Sequence, residues 1–145
     1  MFTTIMVILA GLLGGVCVGL QGPIAGAMGQ RVGGLASSFI VHLGGMLLSG
    51  AVLVLTGGEK MRDWNTLPWY MLGAGVFGVI LYQTINLTLP RLGASMMVML
   101  IIVGQLVTGI VIDHFGWLGV AARPVDATRL AGVAVLLAGS YLISR

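Results

Sequence analysis

Five apolar segments separated by short polar stretches organise the chain. The first thirty residues carry no charged side chain, and four further apolar runs follow them. An α-helix rises about 1.5 Å per residue, so about 20 apolar residues suffice to cross a hydrocarbon core of about 30 Å. The pattern therefore predicts an all-α polytopic membrane protein that forms a single membrane domain over residues 1–145. The predicted spans cover approximately residues 3–30, 35–56, 68–89, 93–113 and 129–144.

The first span is long enough to contain a bend. Gly22 and Pro23 predict a helix break, because proline removes one backbone donor and crowds the carbonyl one turn earlier. Gln21 lies beside this position, and its amide can either contact a solute or bond to a neighbouring helix. Small residues at four-residue spacing also predict that another helix packs closely against this span. The predicted packing positions are Gly11, Gly15, Gly19 and, after a shift of register, Gly26.

Polar side chains in the later spans extend the set of candidates. His42 is the only ionisable side chain of the second apolar run. In the third span, three polar side chains recur at spacings of three and four, which places them on one broad helix face. Such a face predicts either a solute-binding site or an interhelical hydrogen-bond network without a ligand. The candidate substrate-binding residues are Gln21, His42, Tyr82, Gln83, Asn86 and Gln105.

Composition agrees with a membrane protein and excludes several other classes. The chain is 58% hydrophobic and 8% charged, with 24 glycines and a mean hydropathy of +1.08, which leaves no room for a separate soluble domain. Its net charge of +3 is scattered between apolar runs, so it indicates topology rather than nucleic-acid binding. We expect the first segment to be retained rather than cleaved as a signal peptide, since it lacks a positively charged start. Cys17, the only cysteine, is expected to be a buried, inert thiol.

The Lys and Arg residues are almost evenly divided between the two sides of the predicted membrane. With the N-terminus inside, Lys60, Arg62, Arg123 and Arg129 lie inside, whereas Arg31, Arg91 and Arg145 lie outside. Orientation follows the Lys and Arg asymmetry of short loops, so this balance allows insertion in both directions. It predicts a dual-topology protein that assembles as an antiparallel homodimer, an inverted repeat of the kind found in secondary transporters. The alternative is one orientation with a weak N-inside preference.

Three sequence segments resemble a known family. They are LASSFIVHLGG at 35–45, GQLVTGIVIDHFGWLG at 104–119, and the RLAGVAVLLAG that begins at Arg129. Together with the first-span glutamine, they resemble the YdcZ-like family of five-helix membrane proteins, which is grouped with the drug/metabolite transporter superfamily. The resemblance implies a multi-pass, transporter-like protein of the bacterial inner (cytoplasmic) membrane. Members occur as single short chains, as paired chains and as fused ten-helix proteins with inverted halves.

A looser resemblance to small multidrug exporters suggests a contrast in mechanism. Those proteins use a glutamate in their first helix, for which a proton and a cationic drug compete. The first three spans of this chain contain no Asp or Glu. A cation in a low-dielectric site needs an anionic partner, so cation exchange by that mechanism is not expected.

The sequence predicts a transporter that moves a small polar, neutral or zwitterionic solute by alternating access between two inverted subunits. The alternatives are a narrow dual-topology ion channel and a non-transporting assembly partner of a homologous chain. We expect no enzymatic activity, because no nucleophile-base pair or metal-ligand cluster is evident. The expected partners are a second copy of the chain, membrane lipid and the solute, without a cofactor, a metal or nucleic acid.

Overall fold

A computed structural model describes residues 2–143, apart from the side chain of Phe2, and all regular elements in this range are helical. The prediction of an all-α chain is therefore confirmed. Residues 144 and 145, which include the predicted end of the fifth span and one of the counted arginines, lie outside the described range. The α-helices are α1 (Phe2–Val32), α2 (Gly34–Leu55), α3 (Trp69–Leu72), α4 (Gly75–Phe115) and α5 (Ala127–Ile143). Short 3₁₀ helices occupy Met61–Thr66 and Trp117–Gly119.

Three stretches of the described chain are long and apolar enough to cross a membrane: Thr3–Val32, Gly34–Leu55 and Trp69–Phe115. The third has 47 residues, so it would measure about 70 Å if it were straight, more than twice a hydrocarbon core. Gly93 interrupts it with a non-helical backbone. The last helix, Ala127–Ile143, is apolar but shorter. The count of five spans therefore stays a prediction.

The first helix differs from expectation at its proline. α1 continues through Gly22 and Pro23, so the expected break does not occur as a change in secondary structure. A proline inside a helix leaves one carbonyl without its usual partner, here that of Gly19, but the remaining turns can continue around it. Gly22 itself is buried and Pro23 is half-buried.

Single glycines make the tight connections between long helices. Gly33 separates α1 from α2 with φ 92° and ψ 151°, and Gly93 interrupts α4 with φ 77° and ψ 170°. Almost only glycine adopts this combination of angles. The connections that the predicted spans leave at residues 31–34 and 90–92 are thus each reduced to one non-helical residue at or next to them. Both glycines follow the same local pattern, Arg31-Val32-Gly33 and Arg91-Leu92-Gly93.

The third predicted span also begins differently. Pro68 precedes the four-residue α3, and Gly73 and Ala74 separate that turn from α4. The preceding polar loop bends through Gly57, Gly58 and Glu59, all of which have positive φ. The expected single helix from Pro68 is therefore a helical turn followed by the start of α4.

The chain divides into two compact units after Thr88. The first unit contains α1, α2, α3 and residues 75–88 of α4, and its buried side chains include Ala25, Tyr82 and Ile85. The second unit contains the rest of α4 and α5, with Met97 and Ser140 buried. Candidate site residues lie in both units, and each unit is described separately below.

Candidate functional site

In the first unit, α4 contacts α2 through an imidazole and a phenol. The rings of His42 and Tyr82 meet edge to face, with centroids 5.4 Å apart and planes at 79°. Tyr82 is only 6% exposed, whereas His42 remains exposed on its outer side. His42 Nδ1 donates to the carbonyl of Ser38 at 2.7 Å, one turn earlier in the same helix. The two predicted residues are therefore brought together, and the Ser38 carbonyl fixes the orientation of the imidazole.

Two buried serines of α2 were not among the predicted site residues, and one of them joins α2 to α1. Ser37 is completely buried, and its hydroxyl donates to the carbonyl of Ala25 at 2.6 Å. Ser38 is 2% exposed, and its Oγ lies 3.4 Å from His42 Nδ1. The four-residue spacing of Ser38 and His42 is a signal in the sequence that could have identified this contact. No local pattern identifies the bond between Ser37 and Ala25, because it depends on how the two helices pack.

Gln83 and Asn86 lie on the same side of α4, as their spacing predicts, and they face the turn between α1 and α2. Asn86 Nδ2 donates to the carbonyl of Tyr82 at 2.7 Å, and Gln30 Nε2 donates to the carbonyl of Asn86 at 3.3 Å. Two amide atoms of this pair are buried without a hydrogen-bond partner, namely Gln83 Nε2 and Asn86 Oδ1. The turn therefore covers one unsatisfied donor and one unsatisfied acceptor. Burying such groups without a hydrogen bond is costly in free energy.

Three glycines leave the space that these polar side chains occupy. An ideal Cβ on Gly34 would lie 2.6 Å from Gln83 Oε1, and one on Gly78 would lie 2.5 Å from His42 Nε2. A Cβ on Gly29 would overlap the amide of Asn86. Each polar group thus lies directly against helix backbone, at positions where any side chain would collide.

Gln21 and most of the predicted glycine ridge lie away from this cluster. Gln21 is exposed on α1, and no hydrogen bond from its amide occurs within the described part of the chain. A Cβ on Gly11, Gly15 or Gly19 would meet nothing within 4 Å, whereas Gly26 is buried in the first unit. Cys17 is exposed, which corrects the expectation of a buried thiol. Among the described residues of one copy, nothing therefore packs against the ridge at Gly11, Gly15 or Gly19.

Gln105 lies in the second unit, in a cleft between α4 and α5. The cleft has a volume of about 610 Å³, and Gln105, Gly109 and Asp113 line it from α4. Arg129 lines it from α5 and forms an ion pair with Asp113, with Nη1 and Oδ2 3.4 Å apart. The side chains of both charged residues are about one-third exposed. The sequence identified Gln105 but not its association with an ion pair.

Hydrogen bonds close the end of this unit around the ion pair. Asp126 Oδ1 accepts the backbone N–H of Arg129 at 2.8 Å, which caps the start of α5. His114 Nδ1 accepts the backbone N–H of Val125 at 3.1 Å, and the Asp113 carbonyl accepts that of Arg123 at 2.7 Å. No group of three His, Cys, Asp or Glu residues within the described range could hold a metal ion.

The comparison with known families agrees with this apolar, helical chain. The model of the family described as "putative inner membrane exporter, YdcZ" matches residues 6–142. The chain belongs to the YdcZ family. No curated protein and no solved structure shows significant similarity to it. Membership in the YdcZ family confirms the resemblance seen in the sequence, and with the long apolar helices it supports a location in a membrane.

Proposed function

We propose that this member of the YdcZ family is a secondary transporter or facilitator that moves a small polar solute across the bacterial inner membrane. The observation that carries the proposal is the uncharged polar cluster of His42, Tyr82, Gln83 and Asn86 within long apolar helices. Polar groups within membrane spans are costly and commonly mark solute pathways. Amides, a phenol and a neutral imidazole suit a neutral or zwitterionic solute, because no carboxylate in α1 or α2 would balance a cation.

The two unsatisfied amide atoms favour alternating access over a permanently open path. Gln83 Nε2 and Asn86 Oδ1 are covered by the α1–α2 turn, so a solute could reach them only if α4 moved away from that turn. A state that exposed both atoms would offer a donor and an acceptor three residues apart. We therefore assign the described arrangement of the first unit to a closed state of the transport cycle.

The same proposal includes an antiparallel homodimer. An exposed amide such as Gln21 is costly in lipid, and a second helix packed on this face of α1 would shield it. Cys17 is exposed four residues earlier on the same helix face and midway along α1, so the two copies of this thiol would meet if two antiparallel α1 helices crossed there. A short thiol crosslinker should then give a covalent dimer in membranes. A reporter fused to the C-terminus should give signal from both compartments, and signal from one compartment alone would overturn dual topology.

Transport is tested with purified protein in liposomes and a panel of isotope-labelled amino acids and polyols. Tyr82→Phe removes one hydroxyl and keeps the ring against His42, so it should lower saturable flux of the transported solute several-fold without changing the unfolding temperature. Tyr70→Phe, at an exposed tyrosine in α3, is the matched control. Equal flux in wild type, Tyr82→Phe and protein-free liposomes would contradict the proposal. Rapid flux without saturation would indicate the channel alternative, and failure to form a homodimer would indicate the assembly partner.

A further inference from the structure

The cleft in the second unit has one charged end and a long apolar body. Asp113 and Arg129 occupy one end, and Gln105 lies eight residues before Asp113, about 12 Å away along the helix. Gly109 and Gly132 form part of the wall, and a Cβ at either position would meet nothing within 4 Å. Its volume of about 610 Å³ falls in the usual range of small-ligand sites, about 300–1,000 Å³. The shape and polarity match an amphiphile, with a polar head and a linear tail.

The ion pair at the charged end leaves binding capacity unused. Arg129 Nη1 serves both Asp113 Oδ2, at 3.4 Å, and the carbonyl of Arg123, at 3.2 Å. Within the described residues, no bond engages the second terminal nitrogen of the guanidinium, and no bond engages Asp113 Oδ1. An anionic oxygen could therefore bind Arg129 while an ammonium group binds Asp113. A ligand with both charges would complement the pair without leaving either charge unbalanced.

Neighbouring residues indicate that this charged end lies at the level of lipid headgroups. Asp113 is in the last turn of α4, and Arg129 is in the first turn of α5. Phe115 and Trp117 follow directly, with their rings stacked 5.0 Å apart. Aromatic residues concentrate at membrane interfaces, and charged residues at helix ends extend to the same depth. The apolar body of the cleft would then run from this interface toward the hydrocarbon core.

We propose that the cleft binds a membrane phospholipid whose headgroup carries a primary ammonium and a phosphate. The phosphate contacts Arg129, the ammonium contacts Asp113, and one acyl chain lies over Gly109 and Gly132. Charge complementarity selects this lipid over an anionic one, and the hydrogen-bonding ammonium selects it over one with a quaternary amine. This site is separate from the polar cluster of the first unit and does not depend on what the protein transports.

The test measures lipid binding by native mass spectrometry of the full chain in detergent. Phosphatidylethanolamine is compared with phosphatidylcholine and phosphatidylglycerol of identical acyl chains. One additional charged hydrogen bond corresponds to about a tenfold difference in affinity, so phosphatidylethanolamine should bind about tenfold more tightly than the other two. Asp113→Asn should abolish that preference, whereas Arg129→Gln removes the contact to the phosphate that all three lipids share and should lower the affinity for each of them. Asp63→Asn and Arg62→Gln, in the polar loop of the first unit, change the same charges outside the cleft and should keep both the preference and the affinities.

A second pair of variants tests the tail without touching the ion pair. Gly109→Leu fills the cleft and should lower binding of all three lipids, whereas Gly104→Leu adds the same side chain to α4 at a residue that does not line the cleft. Circular dichroism establishes that each variant is folded. If Arg129→Gln does not fold, Arg129→Lys replaces it, because it keeps the positive charge and removes the guanidinium. Equal affinity of the unsubstituted protein for the three lipids, a preference unchanged by Asp113→Asn, or affinities unchanged by Arg129→Gln would overturn the proposal. Closure of the cleft by a second copy, detected as loss of the dimer in Gly109→Leu, would overturn it as well.

Discussion

The two units hold their helices together by opposite means. In the first unit, uncharged polar side chains lie directly against glycine backbone, as Asn86 does at Gly29 and His42 does at Gly78. In the second unit, charged side chains join the ends of α4 and α5, and an open cleft remains between the two helices. Neutral groups can be buried in an apolar surrounding at lower cost than charges, which need a partner and solvent access. The position of each polar group thus follows from its charge.

This difference also separates the two proposed roles. The buried amides of the first unit can reach a solute only if helices move, so that unit is suited to a transport cycle. The ion pair of the second unit, about one-third exposed, is accessible without movement, so that unit is suited to a resident lipid. Substitutions within one unit test this difference in packing, through their effects on stability and on hydrogen exchange in each unit.

The largest effect on stability is expected at Gly29, where the helix backbone contacts the amide of Asn86. Gly29→Ala would place a methyl group into the Asn86 amide, and overpacking of this kind costs about 3 kcal/mol in the free energy of unfolding. Reversible unfolding in mixed micelles measures it. Gly14→Ala is the control, because a Cβ there meets nothing within 4 Å. The double variant Gly29→Ala/Asn86→Ala should recover much of the loss, and strict additivity of the two changes would show that the contact does not pack the unit.

A smaller loss of unfolding free energy is expected at the helix junctions, where each unit has a glycine in the same backbone conformation. Gly33→Ala and Gly93→Ala would each force an L-residue into a backbone conformation that is almost exclusive to glycine, at a cost of about 2 kcal/mol. Equal losses at the two sites would show that the units share this feature despite their different packing. Gly44→Ala, inside α2 at an open position, is the control. An unchanged unfolding free energy in Gly33→Ala would mean that the junction adopts another conformation.

Local sequence predicted these junctions better than it predicted the site. The apolar runs and the glycines at 33 and 93 are short-range features, so the helices and the turns near them followed from the sequence. The common face of Tyr82, Gln83 and Asn86 followed from helical spacing. The bond from Ser37 to the Ala25 carbonyl and the exposure of Gln21 did not, because both depend on which side of α1 meets α2. Continuation of α1 through Pro23 was missed for the same reason, since packing can maintain a helix that proline weakens.

A more modest change should affect the second unit alone. Asp126→Ala removes the side chain that accepts the Arg129 N–H at the start of α5, and loss of such a cap costs about 1 kcal/mol. Hydrogen exchange should accelerate in the first turn of α5, while the amides of α1 and α2 keep their rates. Asp63→Ala removes the same charge from the polar loop and should leave both regions unchanged. Faster exchange throughout α1 and α2 would contradict independent packing of the units.

The smallest effect is the position of one proton on each histidine ring, which can be measured in the unsubstituted protein. His42 Nδ1 lies 2.7 Å from the Ser38 carbonyl, which can only accept, so the neutral ring carries its proton on Nδ1. His114 Nδ1 lies 3.1 Å from the N–H of Val125, which can only donate, so that ring carries its proton on Nε2. Nitrogen-15 NMR of the two imidazoles should therefore show opposite tautomers, with His42→Gln providing the assignment. Identical tautomers would rule out one of the two hydrogen bonds. In the expected case, His42 keeps Nε2 as an acceptor toward Gly78, so the first unit offers a lone pair to a solute donor once α4 moves.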